Sequence, residues 1–331
     1  MTDPPAGPPP AARVLELGHG AAHTHILGAL ARLDIADHVA DRPRSIAELA
    51  SATGAVPDRL DRLLRAAAVL GLVQRTADGM ITTTAAGACL RTGPGSLRDF
   101  ALMLSAPGQV RPLEQLADAV RGKPAAEATL GQPIWDYYRD HPDEAAAFAG
   151  AMSGVSGMIA GQVAAAADLT GCRRIVDVGG GHGTLLRALL GTAPQAQGVL
   201  LDLPEVVAGA PPAERVRVVG GDFLTSVPPG GDVYVLCHVL HDWDDPAAQR
   251  ILGVCRRAAS AGSRLLIVEA VLAAQPGPVM PELLDLHMMV MSGGQERSRE
   301  QYGQLLDAAG WQLAEVTLLP SGQSLLNARA R

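Results

Sequence analysis

The sequence predicts an α/β protein: a parallel sheet flanked by helices, preceded by a mainly helical N-terminal domain with a winged-helix pattern. Three observations carry that prediction. From Gly171 onward, short runs dense in Val, Ile and Leu (RRIVDVGG, GVLLDLP, RVRVVGGDF, GDVYVLCHVL, SRLLIVEAVL) alternate with helical stretches. Such runs read as strands buried on both faces, which is how parallel sheets are built. Before residue 100, two helices with clear start and stop signals run into a short hairpin. Finally, 48% apolar and 18% charged residues over 331 positions can fill a sizeable core and do not fit a disordered chain.

Taken in order, residues 1–12 (MTDPPAGPPPAA) form a proline-rich disordered leader with neither a basic nor an apolar signal region. Residues 13–40 place Leu15, Ile26, Leu27, Leu30, Leu33 and Ile35 at helical spacing as core contacts. Ser45 and Glu48 make a capping box, Gly54 ends that helix, and Pro57 opens a second one running to Gly71. A hairpin turning at Asp78-Gly79 completes the winged-helix pattern, so the first domain spans 13–98. Residues 99–168 read as wholly helical and hold half of the scarce aromatics: Phe100, Trp135, Tyr137, Tyr138 and Phe148. With Met103, Met152 and Met158 they either fill the joint between domains or line an apolar pocket for a flat organic substrate. Met288 and Met291, on a later helix with His287, divide between core packing and a substrate wall in the same way. The alternating strands and helices occupy 169–331, and WQLAEVTLL and SLLNARAR close the chain as an antiparallel edge pair.

Charge narrows the partners. The net charge of −7 offers no basic field for nucleic acid or an anionic membrane. In the second helix of the winged-helix pattern Asp58 and Asp61 alternate with Arg59, Arg62 and Arg65, which weakens a DNA-binding regulator further. Cys89, Cys172, Cys237 and Cys255 lie far apart, as buried thiols in a reducing compartment do. No apolar run reaches the roughly 18 residues a bilayer span needs, so a cytoplasmic protein is expected. Asp242, Asp244 and Asp245 read as caps and ion pairs, not as a metal site.

The chemistry gathers at the carboxyl ends of the strands, where open α/β sheets bind ligands. The first strand ends in a glycine turn containing Gly179 and Gly181, which lets backbone approach a ligand closely. A dinucleotide fingerprint would need glycine or alanine where Thr184 stands, which disfavours a nicotinamide enzyme. The second strand ends in Asp202-Leu203, an acid placed to accept both ribose hydroxyls. The third ends at Asp222-Phe223, an acceptor for an exocyclic amine beside a ring for a purine face. Singly, each aspartate is as good a helix cap; together at successive strand ends they suit adenosine with a small charged tail.

The segments DVGGGHG, LDLP, GGDF, HDWDD and GGQER, in this order and spacing, resemble the plant caffeate-type and bacterial polyketide small-molecule O-methyltransferases. The likeness covers nearly the whole chain after the leader. It implies a Rossmann-like class I methyltransferase sheet over 169–331, a winged-helix domain that makes a homodimer, and a helical segment over the substrate. Carried over position by position, it implies that Gly179, Gly181, Asp202, Leu203, Asp222 and Phe223 hold S-adenosylmethionine. Cys237 stands where plant relatives have lysine, which puts a cofactor contact there in doubt. His241 is the implied general base, with Glu269 and Glu296 beside it and Glu269 expected on the far ring nitrogen. Met103, Trp135, Tyr138, Phe148, Met152, Met288 and Met291 are the candidate substrate contacts. A phenol and an ordinary imidazole differ by about 3.5 pKa units, or about 4.8 kcal/mol, so proton removal is expected to accompany methyl movement. The same fold could serve hydroxylation, decarboxylation or cyclisation, but His241 and Glu269 are intact. His23 and His25, on the first helix, are either solvated or directed at a partner subunit.

Overall fold

The computed structural model describes residues 9–93, 95–273 and 279–331, in two compact units, Met1–Pro107 and Gly108–Arg331. In the first unit, helices Pro10–Gly18, Gly20–Arg32 and Ile35–His38 precede the pair Ile46–Thr53 and Pro57–Val69. The Ser45–Glu48 capping box forms in both directions and Gly54 ends its helix at φ +69°. Strands β1 (Val73–Arg75) and β2 (Ile81–Thr83) pair antiparallel as the wing. Leu30, Ile35, Leu49, Leu60, Leu64, Val73 and Ile81 make the core, with Ile26, Leu27 and Leu33 half-buried against it.

Three expectations need correction here. Residues 10–12, assigned to the leader, are the first turn of a helix; residues 1–8 lie outside the described residues. Leu15 is 67% exposed and is no core contact, because its helix buries no side chain at all. The helix Arg98–Leu104 sends Ala101 into the first unit's core, so residues 99–107 fold with that unit.

In the second unit the strands are β3 (Arg174–Val178), β4 (Gln197–Asp202), β5 (Val216–Gly220), β6 (Val233–Cys237), β7 (Arg264–Glu269), β8 (Val271–Leu272), β9 (Arg297–Ser298), β10 (Trp311–Leu318) and β11 (Ser324–Ala330). The seven-stranded sheet has the order β10-β11-β7-β6-β3-β4-β5. Its β7-β6-β3-β4-β5 part is parallel, and β11 joins β7 antiparallel. Successive residues face opposite layers. Ile175, Leu200, Val235 and Leu266 pack with helices Pro142–Ala166 and Thr184–Thr192. Val176, Leu201, Tyr234 and Ile267 pack with Asp245–Ala258 and Arg299–Ala308. The third run differs from expectation: β5 is an edge strand, and Val218 stands 44% exposed. Pro142–Ala166 also departs from the sequence estimate, being long and apolar enough to cross a membrane; its Ile159, Ala160, Val163 and Ala164 are instead buried in the core.

Candidate active site

The turn after β3 needs its glycines. Gly179, Gly181 and Gly183 have φ of +68°, +56° and +75°, a region that L side chains rarely adopt. A Cβ on Gly179 would come within 2.9 Å of Val239 Cγ2 and 3.3 Å of Phe223 Cε1. A Cβ on Gly181 would meet nothing within 4 Å, so that residue's surface is open. Asp202, ending β4, accepts from the N–H groups of Gly181 (2.7 Å) and Leu203 (2.7 Å) and thereby ties two strand ends together. Asp222 accepts from Leu224 N–H (2.8 Å) and the Thr225 hydroxyl (3.0 Å), capping its own turn. The Phe223 ring meets Trp243 edge-on at 6.1 Å.

Past β6 the chain makes a strained turn, with His238 at φ +53°, and then the short helical turn Leu240–Asp242. Sequence reasoning set Glu269 on the His241 ring; the structure does not. Glu269, fully buried at the end of β7, accepts from the backbone N–H groups of Val239 (3.1 Å), Leu240 (2.6 Å) and His241 (3.3 Å), and from the Tyr302 hydroxyl. It holds the loop. Glu296 holds the ring: His241 Nδ1 donates to Glu296 Oε1 at 2.6 Å. Pairing of β8 with β9 aligns Val271 with Arg297 and so brings both glutamates to one place.

The GGQER segment is locked onto the histidine loop. Gln295 N–H donates to His241 O (2.9 Å). A Cβ on Gly294 would lie 1.9 Å from that same oxygen, so only glycine allows the crossing. Arg297, fully buried, donates to Leu240 O (2.9 Å), Trp243 O (2.7 Å) and Asp245 Oδ1 (2.9 Å). Asp244 caps the following helix through Ala247 N–H. Those two aspartates are a cap and an ion-pair partner, as expected.

With Nδ1 taken, Nε2 of His241 has no hydrogen-bond partner among the described residues, and Asp242 Oδ1 lies 3.9 Å from it. Burial alone pulls the imidazole's pKa down. The charges of Asp242, Glu269 and Glu296 outweigh burial and push it up to about 10. His238, whose ring lies 5.6 Å from that of His241, is lowered to about 4 by burial and by the neighbouring histidine's charge. It stays neutral. Burial also pushes the Cys237 thiol well up, so this residue stays a neutral thiol.

The candidate substrate contacts divide. Trp135, Tyr138, Phe148 and Met291 share one cluster, with Phe148 at 5.6 Å from Trp135 and 5.0 Å from Tyr138. Met152 is half-buried and Met288 buried, but neither joins that cluster. Met103 is buried in the first unit, and Met158 is exposed. A cavity of about 360 Å³ adjoins the cluster, lined by Lys123, Glu127, Ile134 and Met291 among others.

Residues 113–312 match the family model of the O-methyltransferase domain, and residues 15–93 that of the O-methyltransferase dimerisation domain. Phenazine O-methyltransferase PhzM of Lysobacter antibioticus is 39% identical over 314 residues, 92% of each chain. The solved structure of LaPhzM superposes with a TM-score of 0.93 at 38% identity, covering 98% of this chain and 100% of that one. NcsB1, an O-methyltransferase from neocarzinostatin biosynthesis, was solved with S-adenosylmethionine and 2-hydroxy-5-methyl naphthoic acid. It is 34% identical, with a TM-score of 0.77, over 94% of this chain and 96% of that one.

The chain belongs to the S-adenosylmethionine-dependent O-methyltransferases. Its family is that of the bacterial natural-product enzymes with an N-terminal dimerisation domain. The residues present suit such an enzyme's cationic cofactor. Asp177, beneath the glycine turn, is fully buried with neither oxygen hydrogen-bonded among the described residues. Burial first, and the charge of Asp202 second, push its pKa up to about 7. An acid so placed is strained alone and matched to a positive group, while Gly181 leaves open surface next to Asp202. Sequence reasoning quoted Asp177 only as part of a motif and gave it no role. Arg297 likewise stands in the quoted GGQER motif without a role, and Tyr302 was missed because its helix position reads as ordinary surface.

Proposed function

We propose that this O-methyltransferase methylates a phenolic hydroxyl of an aromatic natural-product intermediate, with His241 as general base, and works as a homodimer in the cytoplasm. The observation that carries the base assignment is the 2.6 Å bond from His241 Nδ1 to Glu296, which leaves Nε2 free to take a proton. Asp202 and the glycine turn would hold the ribose side of S-adenosylmethionine, and Asp177 its charged tail. The bound cofactor supplies an already activated methyl group and a positive charge. Alignment of the reacting atoms can account for about 7–11 kcal/mol of the barrier.

The proton is the remaining task. The acids around His241 raise its proton affinity to about 10, level with a phenol near 10. In the ligand-free loop, transfer from phenol to this imidazole is therefore less steeply uphill than the step of about 4.8 kcal/mol reckoned for an ordinary imidazole. The cost is that the ligand-free loop already holds a proton, which it must lose first. Positive charge entering the acid-lined cleft favours that loss. Glu296 keeps the tautomer and steadies the imidazolium; Glu269, Tyr302 and Arg297 keep the loop in place.

The matching dimerisation domain supports self-association, and so does the apolar surface of the helix Pro10–Gly18. The deciding experiment is His241→Ala assayed with a panel of phenols. Affinity for S-adenosylhomocysteine is expected to persist while turnover falls about 10²–10⁴-fold. Turnover equal to wild type would remove His241 as the base.

A further inference from the structure

Gln109, on the helix Pro107–Leu113, is 4% exposed. Its Nε2 donates to the Tyr138 hydroxyl at 2.6 Å, while its Oε1 is buried with no partner among the described residues. The hydroxyl hydrogen of Tyr138 is not used by any of those residues either. Buried polar groups in folded proteins are satisfied with few exceptions, and each exception calls for a reason. Here one spare acceptor and one spare donor stand side by side.

Their surroundings are aromatic, with acids nearby. The Tyr138 ring packs on Phe148 at 5.0 Å and Trp135 at 6.3 Å. It shares a cluster with Met291, which ends the helix leading into the GGQER segment. Burial pushes the Tyr138 hydroxyl's pKa up, with the charge of Glu144 and, less, that of Asp242 adding to it. Glu144 is already engaged by Gly108 N–H (2.9 Å) and the Tyr137 hydroxyl (2.9 Å). No lysine or arginine among the described residues hydrogen-bonds to the pair.

We propose that Gln109 and Tyr138 are specificity-determining residues that read a neutral amide-type edge on the aromatic acceptor, an N–H beside a C=O as in a carboxamide, lactam or imide. The acceptor's N–H donates to Gln109 Oε1 and its carbonyl accepts from the Tyr138 hydroxyl. An ionised carboxylate has no hydrogen for Gln109 Oε1 and leaves that buried oxygen unpaired. The proposal rests on the methyl-transfer reading above and refines the acceptor it takes.

The test compares the three isomers of hydroxybenzamide with the three hydroxybenzoates, by calorimetry on the full chain with S-adenosylhomocysteine present. The best amide is expected to bind about tenfold or more tightly than its carboxylate counterpart, as a site with paired buried polar groups discriminates. In the double variant Gln109→Met, Tyr138→Phe that ratio is expected to fall within about threefold. The ligand-free Tm of the variant should equal or exceed that of wild type, because the unsatisfied oxygen is gone. Carboxylates binding as well as amides, no amide binding, a preference that survives in the variant, or a lowered ligand-free Tm would each overturn the proposal. Methyl transfer to phenols, lost in His241→Ala, tests the underlying reading separately. Transfer without the amide preference removes only this proposal; the preference without transfer removes only the reading.

Discussion

Replacing Glu296 by Gln keeps the shape of the His241 pair and removes the charge that helps hold its proton. Glu296→Gln is expected to lower kcat about 10²-fold or more. It should also move the rising limb of the kcat/KM pH profile to lower pH, because His241 then deprotonates more easily. A limb that stays in place or moves up would contradict that division of labour. Asp177 gives a second prediction through linkage. Its folded pKa is raised from 3.8 to about 7 by burial, so its stabilising contribution is present in acid and lost as pH rises through 7. Asp177→Asn is therefore expected to raise the ligand-free Tm at pH 8 by several degrees and to change it little at pH 4, while weakening S-adenosylhomocysteine binding. Scanning calorimetry at the two pH values checks the sign. Neither role is visible in the sequence, where all of these acids look alike.

Among elements, the crossing of the GGQER segment over the histidine loop carries the most consequence. The Gly294 approach to His241 O leaves no room for a methyl group, and the clash is with backbone, which cannot rotate away. Gly294→Ala is expected to destabilise the protein by about 3 kcal/mol or to displace the loop and abolish turnover. Thermal unfolding together with activity distinguishes these outcomes from a neutral change, which would contradict the geometry. The main strands were legible because β3, β4, β6 and β7 are buried on both faces and read as unbroken Val, Ile and Leu. The β5 run reads the same way, yet it lies at the edge; composition does not encode which strand lacks a neighbour. The capping box at Ser45 was equally legible, since it depends on residues only three positions apart.

For the molecule as a whole, the helix Pro10–Gly18 leaves Val14, Leu15 and Leu17 exposed by 69%, 67% and 62%. Burying such side chains contributes about 1.5–3 kcal/mol each. The double substitution Val14→Glu, Leu17→Glu is accordingly expected to weaken self-association at least about tenfold. Sedimentation equilibrium measures this, and unchanged association would take the helix out of the interface. The amino-acid order by itself determined the strand sequence, the glycine turn and the acids at the strand ends, because each depends on local periodicity or on a backbone angle that only glycine reaches. The motif around His241 is also what pointed to that residue as the base proposed above. Only the tertiary structure decided that Glu296 grips the ring and Glu269 the loop. Glu269 and Glu296 lie 28 and 55 residues from His241, and which oxygen meets which hydrogen depends on a strained turn, a short strand pairing and a glycine crossing that form only when the chain is folded.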